Sequence, residues 1–251
     1  MAAPILPGAE PFSHDGGPHG ALVVHGFTGN PGSMRGLAQA FAAAGFTVDL
    51  PLLPGHGTSV EDMLATNWDD WSTAAEAAYT ALASRCEKVV VAGLSMGGTL
   101  TTWLASRHPE MAGIVLVNPA VEPPADSFVE MMQGMAATGA DTIPGIGSDI
   151  AMPGISEGAY EGTPITPLLS LLAAETDLAE RLGDIRCPVL LFTSPQDHVV
   201  PPSSSDFLAA RVSGPVERVT CERSYHVATM DFDAEDIEQR SVDFAKKVTA
   251  S

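Results

Sequence analysis

Basic residues are scarce in this chain: 12 Lys and Arg stand against 31 Asp and Glu over 251 residues, a formal net charge of −19. Phosphate backbones are held by clustered Lys and Arg, so nucleic acid is not an expected partner, and anionic surfaces are repelled for the same reason. No apolar run approaches the ~18 residues that span a bilayer, so stable membrane insertion is not expected. The first basic residue is Arg35; a secretory leader, which opens on positive charge, is therefore not expected either. Cysteine is limited to Cys86, Cys187 and Cys221. Their odd number and wide spacing predict buried free thiols in a reducing cytoplasm rather than disulfides. No pair of His four residues apart flanks a Glu, which leaves a metal site without support.

What is present is apolar sequence in short pieces. Ala21–His25, Phe46–Leu50, Lys88–Ala92, Gly113–Val117, Val189–Thr193 and Val216–Thr220 read as strands. Helices are predicted between them: 31–44, with Pro31 near its start and Gly45 as its stop; Asn67 capping a run to Arg85; and 234–248. The last opens on Glu235, Asp236 and Glu238 and closes on Lys246 and Lys247, the charge order that complements a helix dipole. Trp68 and Trp71 fall at helical spacing with Ala75, Ala78 and Leu82 and are read as core. Strands alternating with helices predict an α/β protein, a mostly parallel central sheet with helices on both faces. The stretch 121–183 breaks that rhythm with Met131, Met132, Met135 and Met152, a Pro- and Gly-rich run, and an apolar helix expected at Leu168–Leu172. It is expected to be a small cap inserted over the carboxyl edge of a core made of 1–120 and 184–251. Its flexible thioethers suit either an adaptable pocket or ordinary helix packing.

The most informative run is Val89-Val90-Val91-Ala92-Gly93-Leu94-Ser95-Met96-Gly97-Gly98. A β-branched strand ends in Gly-x-Ser-x-Gly and a helix-compatible segment follows at once. This arrangement lifts a serine hydroxyl onto a strained turn, with small residues where strand and helix approach. A serine hydroxyl is a weak nucleophile until a base, a group that orients the base, and donors for an oxyanion surround it. His226 follows the last predicted strand and fits the base; His14, His19, His56 and His108 are placed less well. Asp197, after the strand Val189–Thr193, fits the orienting acid, which receives the imidazole Nδ1–H. In His25-Gly26-Phe27-Thr28-Gly29 the backbone can turn sharply, so the amides of Phe27 and Met96 fit an oxyanion hole. His25 is read as a brace for that loop.

These motifs, in this order, resemble the α/β-hydrolase-fold carboxylesterases, and among them the bacterial monoacylglycerol lipases. Gly55-His56-Gly57, Asp197-His198 and Ser224-Tyr225-His226 match the same pattern, and the resemblance runs from about Leu22 to Val248. It implies an α/β-hydrolase fold, a catalytic Ser95–Asp197–His226 triad and a Phe27/Met96 oxyanion hole. The substrates it implies are monoacylglycerols or short-to-medium-chain acyl esters, cleaved through an acyl-enzyme without metal or organic cofactor. In that group a cap glutamate meets the glycerol hydroxyls, and both Glu157 and Glu161 lie in the corresponding region. The same triad also serves thioesters and other chemistries on this scaffold, and a related shell can act as a non-catalytic small-molecule receptor.

Overall fold

The computed structural model describes residues 3–145 and 147–250; Met1, Ala2, Ile146 and Ser251 lie outside it. Its frame is a seven-stranded sheet of β1 (Phe12–His14), β2 (His19–Val24), β3 (Thr47–Leu50), β4 (Lys88–Leu94), β5 (Gly113–Val117), β8 (Val189–Thr193) and β9 (Val216–Thr220), in the order β1-β3-β2-β4-β5-β8-β9. Only β1 runs antiparallel, paired with β3 at the edge. The central strands read as unbroken apolar runs because both of their faces are covered. Period-two alternation then divides each strand between two cores. Val89 and Val91 join Leu22, Ile114 and Leu191 on one face, and Val90 and Ala92 join Val23, Val115 and Leu190 on the other.

The second of these faces is covered by α1 (Arg35–Ala43) and α8 (Ala234–Thr249), which contribute Leu37, Phe41, Ile237 and Phe244. The first is covered by α3 (Trp68–Ala83), α4 (Met96–Ala105) and α7 (Ser203–Ala209), with Trp71, Leu100 and Leu208 against the sheet. Asn67 and Asp70 close a reciprocal capping box at the start of α3. Strand β9 is largely exposed and carries Glu217 and Arg218, charges that discourage further strand pairing at an open edge.

Two expectations need correction in detail. The helix expected over 31–44 begins as a 3₁₀ turn, Pro31–Met34, and becomes α-helical only at Arg35. The Asn30 side chain accepts from Gly32 N at 2.9 Å, and this cap fixes the tighter first turn. Of the three thiols, Cys187 and Cys221 are buried, but Cys86 is partly exposed; all three are free.

The stretch between β5 and β8 holds α5 (Asp126–Ala137), the short pair β6 (Thr142–Pro144) and β7 (Gly162–Pro164), and α6 (Ile165–Ala179). Leu171 and Leu178 of α6 belong to the same apolar cluster as α3 and α4, so this stretch shares the core of the sheet's first face. Of its methionines, Met132 is buried and Met131 is exposed. Among the described residues no helix is long and apolar enough to cross a membrane.

Candidate active site

Strand β4 delivers Ser95 at φ 55° and ψ −120°, and α4 starts at the next residue. A non-glycine residue there is strained by about 1–3 kcal/mol, held in place by its surroundings. Those surroundings leave no room for side chains two positions away. A Cβ on Gly93 would lie 2.1 Å from the Gly97 carbonyl oxygen, and one on Gly97 would lie 2.2 Å from that of Val24. Ser95 N donates to Val117 O at 3.1 Å, tying the turn to the end of β5.

The loops after β8 and β9 are neighbours because these strands are parallel and adjacent. They bring Asp197 to His226: Nδ1 of the imidazole donates to Asp197 Oδ2 at 2.7 Å. The other carboxylate oxygen, Oδ1, accepts from Val199 N and Val200 N, both at 2.8 Å. The Asp197 carboxylate is thus fixed by three donors, and its side chain is only 1% exposed. With Nδ1 engaged, Nε2 is the ring nitrogen left to take up a proton.

Asn118, just past β5 and buried, organises this region. Its Nδ2 donates to His226 O at 2.7 Å and to Ser194 Oγ at 3.0 Å, while its Oδ1 accepts from Ser194 N at 2.8 Å. One amide side chain therefore holds the acid-bearing loop and the histidine-bearing loop to the strand end that also anchors Ser95. The sequence carries a weak signal for it: a lone Asn directly after an apolar strand, at φ 44°, a left-handed conformation that Asn tolerates better than most.

The loop after β2 lies against Ser95, since a Cβ on Gly26 would stand 3.4 Å from Ser95 Cβ. Phe27 is next in that loop and is half-buried, edge-on to Trp71 at 5.6 Å between ring centroids. Met96 opens α4, where the first amides of a helix have no intrahelical acceptor. Phe27 and Met96 are therefore brought to the same end of the sheet as Ser95. His25 braces the loop as expected: Nδ1 donates to Gly26 O at 3.0 Å and Nε2 accepts from Leu53 N at 3.1 Å. Full burial, reinforced by neighbouring His56, lowers its pKa to about 3, so the ring is neutral. Burial also lowers His56, to about 4.

The 121–183 stretch meets each of these loops. Tyr160 N donates to Thr28 O at 3.2 Å, and Asn30 Nδ2 donates to Glu157 O at 3.0 Å. The Glu157 carboxylate approaches to 3.6 Å of where a Cβ on Gly29 would stand. Burial pushes its pKa up to about 7, with His226 opposing that rise and Asp149 adding to it. Glu161, the other glutamate of this stretch singled out in the sequence, is solvent-exposed. No three His, Cys, Asp or Glu side chains gather at metal-binding distance among the described residues.

A doubly covered parallel sheet with a serine on a strand-to-helix turn and an Asp–His pair at the same carboxyl edge defines a class of proteins. The chain belongs to the alpha/beta hydrolase family, whose model matches residues 21–239, and it is an enzyme of the serine hydrolase, carboxylesterase type that acts on acyl esters. It is 47% identical over 249 residues to the thermostable monoacylglycerol lipase of Bacillus sp. strain H-257, covering 97% of each chain. It is also 27% identical to a carboxylesterase of Bacillus subtilis strain 168, covering 95% of this chain and 97% of that one. A solved structure from work on LipS and LipT, two metagenome-derived lipolytic enzymes, superposes with a TM-score of 0.93 at 41% identity, covering 97% of this chain and all of the other.

Proposed function

We propose that the protein hydrolyses monoacylglycerols and related short-to-medium-chain esters, with Ser95, His226 and Asp197 as its catalytic triad. His226 Nε2 takes the hydroxyl proton as Ser95 Oγ attacks the ester carbonyl. The amides of Phe27 and Met96 hold the oxyanion, a contribution of about 3 kcal/mol per donor in comparable sites. Collapse of the tetrahedral intermediate breaks the bond to the alcohol, which leaves with the proton from His226. Water then repeats the sequence on the acyl-enzyme, releasing the acid and restoring Ser95. Asp197 keeps the imidazole in the tautomer that both steps need.

The observation that carries this reading is the 2.7 Å Asp197–His226 contact at the strand ends that also hold Ser95. The Bacillus monoacylglycerol lipase, at 47% identity, supports the glycerol ester as substrate. The stretch 121–183 serves as the cap, and Glu157, beside the Phe27 loop, contacts the alcohol hydroxyls. The absence of paired cysteines among the described residues fits a reducing cytoplasm.

Ser95→Ala is expected to lower turnover of p-nitrophenyl esters by roughly three orders of magnitude or more while circular dichroism stays native. It should also abolish labelling by a fluorophosphonate. Retained turnover or labelling removes Ser95 from the mechanism. In a panel of glycerol and ethyl esters of increasing acyl length, Glu157→Gln should raise KM for the glycerol esters only, and Glu161→Gln should raise neither.

A further inference from the structure

The acid loop and the histidine loop leave the sheet as separate excursions and meet through the Asp197–His226 pair and the edge-on rings of His198 and Tyr225, 4.6 Å between centroids. Besides Asn118, a second carboxylate bridges the two loops. Asp149, in the 121–183 stretch, is largely buried, its side chain 10% exposed. A single oxygen, Oδ2, accepts from His198 N at 3.1 Å and from His226 N at 3.1 Å. His198 follows Asp197 directly, so this oxygen bridges the two loops at the residues that matter. The other oxygen, Oδ1, meets His198 Nδ1 at 2.8 Å.

Asp149 is itself fixed from both sides. Val227 N donates to its carbonyl at 3.1 Å. Two residues on, the chain is gripped in return: the Asp231 carboxylate accepts from Ala151 N at 2.7 Å and Met152 N at 3.0 Å, and from Tyr225 N at 3.0 Å in the histidine loop. With Asn118 on the carbonyl of His226 and Asp149 on its amide, both backbone polar groups of that residue are held by side chains from elsewhere in the chain.

From this geometry we infer that Asp149 is a positioning residue for the hydrolytic reaction, holding His226 and Asp197 in register through the amides of His226 and His198. The inference rests on the triad reading above and adds a fourth residue to it, contributed by the stretch between β5 and β8. That stretch is therefore part of the catalytic frame as well as a cover. Displacement of a catalytic group by about 1 Å can cost on the order of 100-fold in rate, and the substrate need not be bound differently.

The test compares the full-length protein with Asp149→Ala, Asp149→Asn and Asp149→Glu, using p-nitrophenyl butyrate hydrolysis and the far-downfield proton NMR signal of the His226 Nδ1–H. Asp149→Ala should lower kcat by about 10- to 100-fold with KM nearly unchanged, and broaden or remove the downfield proton. Asp149→Asn, whose amide oxygen can still accept from both main-chain N–H groups, should recover most of kcat and the signal. If Asp149→Ala melts below the assay temperature, Asp149→Glu gives the same reading, since its extra methylene displaces the carboxylate without removing charge. Unchanged kcat and an unchanged downfield proton in a folded Asp149→Ala or Asp149→Glu overturn the inference, as does failure of Asp149→Asn to recover either. Labelling of the wild type by a fluorophosphonate tests the nucleophile separately. A labelled wild type with indifferent Asp149 variants sinks the positioning role alone; an unlabelled wild type whose downfield proton still collapses in Asp149→Ala sinks the hydrolase reading alone.

Discussion

Ser95 occupies a backbone conformation that costs energy, and the residues around it pay with their size. Gly93 and Gly97 have no side chain because backbone atoms stand 2.1 and 2.2 Å from where a Cβ would be. Neither neighbour is a flexible side-chain end, so relief requires a strand or helix to move. Gly97→Ala is therefore expected to destabilise the protein by about 3 kcal/mol or more, read as a lower urea midpoint at unchanged m-value. A variant as stable as the wild type would show that α4 can slide away from β2. At this scale the sequence is most informative where chemistry restricts residue type: the structure brings the expected Asp197 and His226 into contact and sets Ser95 on a strand-to-helix turn crowded at Gly93 and Gly97. Asn118, Asp149 and Asp231 were not legible in this way. Each is a polar residue in a loop, a common sight, and its importance comes from partners up to 108 residues away.

Among the elements, the central strands were legible almost to the residue, as Gly113–Val117 and Val189–Thr193 illustrate. A strand covered on both faces must be apolar throughout, and few other elements give that pattern. Helix α7 was not legible. Its sequence, SSSDFLA, has weak helical preference, and it is held by tertiary bonds, with Ser204 Oγ donating to Pro119 O at 2.7 Å and accepting from Val121 N at 3.0 Å. Helix α5 and the short α2 (Val60–Leu64) likewise have no counterpart in the sequence reading. Helix α6 holds a different surprise, Glu175, which is 5% exposed. Burial raises its pKa from 4.5 to about 8, so the folded protein keeps it protonated where the unfolded chain ionises it. Stability from this group is complete below pH 4.5 and is lost as pH rises towards 8. Glu175→Gln, which cannot ionise, should exceed the wild type in stability by on the order of a few kcal/mol at pH 8.5 and match it at pH 4. Denaturant titrations at the two pH values check this; a gap that does not grow with pH removes Glu175 as its source.

Over the whole molecule, a net charge of −19 acts against compactness through self-repulsion. Several basic residues are already engaged locally, as in Arg218–Asp206 at 2.6 Å and Arg240–Asp236 at 2.7 Å, leaving the excess of carboxylates unbalanced. Added NaCl should therefore raise the melting temperature at pH 8 by a few degrees between about 10 and 150 mM, as the screening length contracts from ~30 to ~8 Å. A melting temperature that falls over this range would mean that the ion pairs outweigh the repulsion.

By itself the amino-acid sequence determined the six parallel strands of the sheet, its two covered faces and the residue types available for acyl transfer, because burial and nucleophilic chemistry both leave local patterns; the antiparallel edge strand β1 was not among them. Only the tertiary structure decided which glutamate stands beside the Phe27 loop, that α6 shares a core with α3 and α4, and that Asn118 and Asp149 grip the histidine loop from two directions. Those relations are made by loops meeting across the sheet edge, where hydrogen bonds between distant turns leave no period or spacing to read.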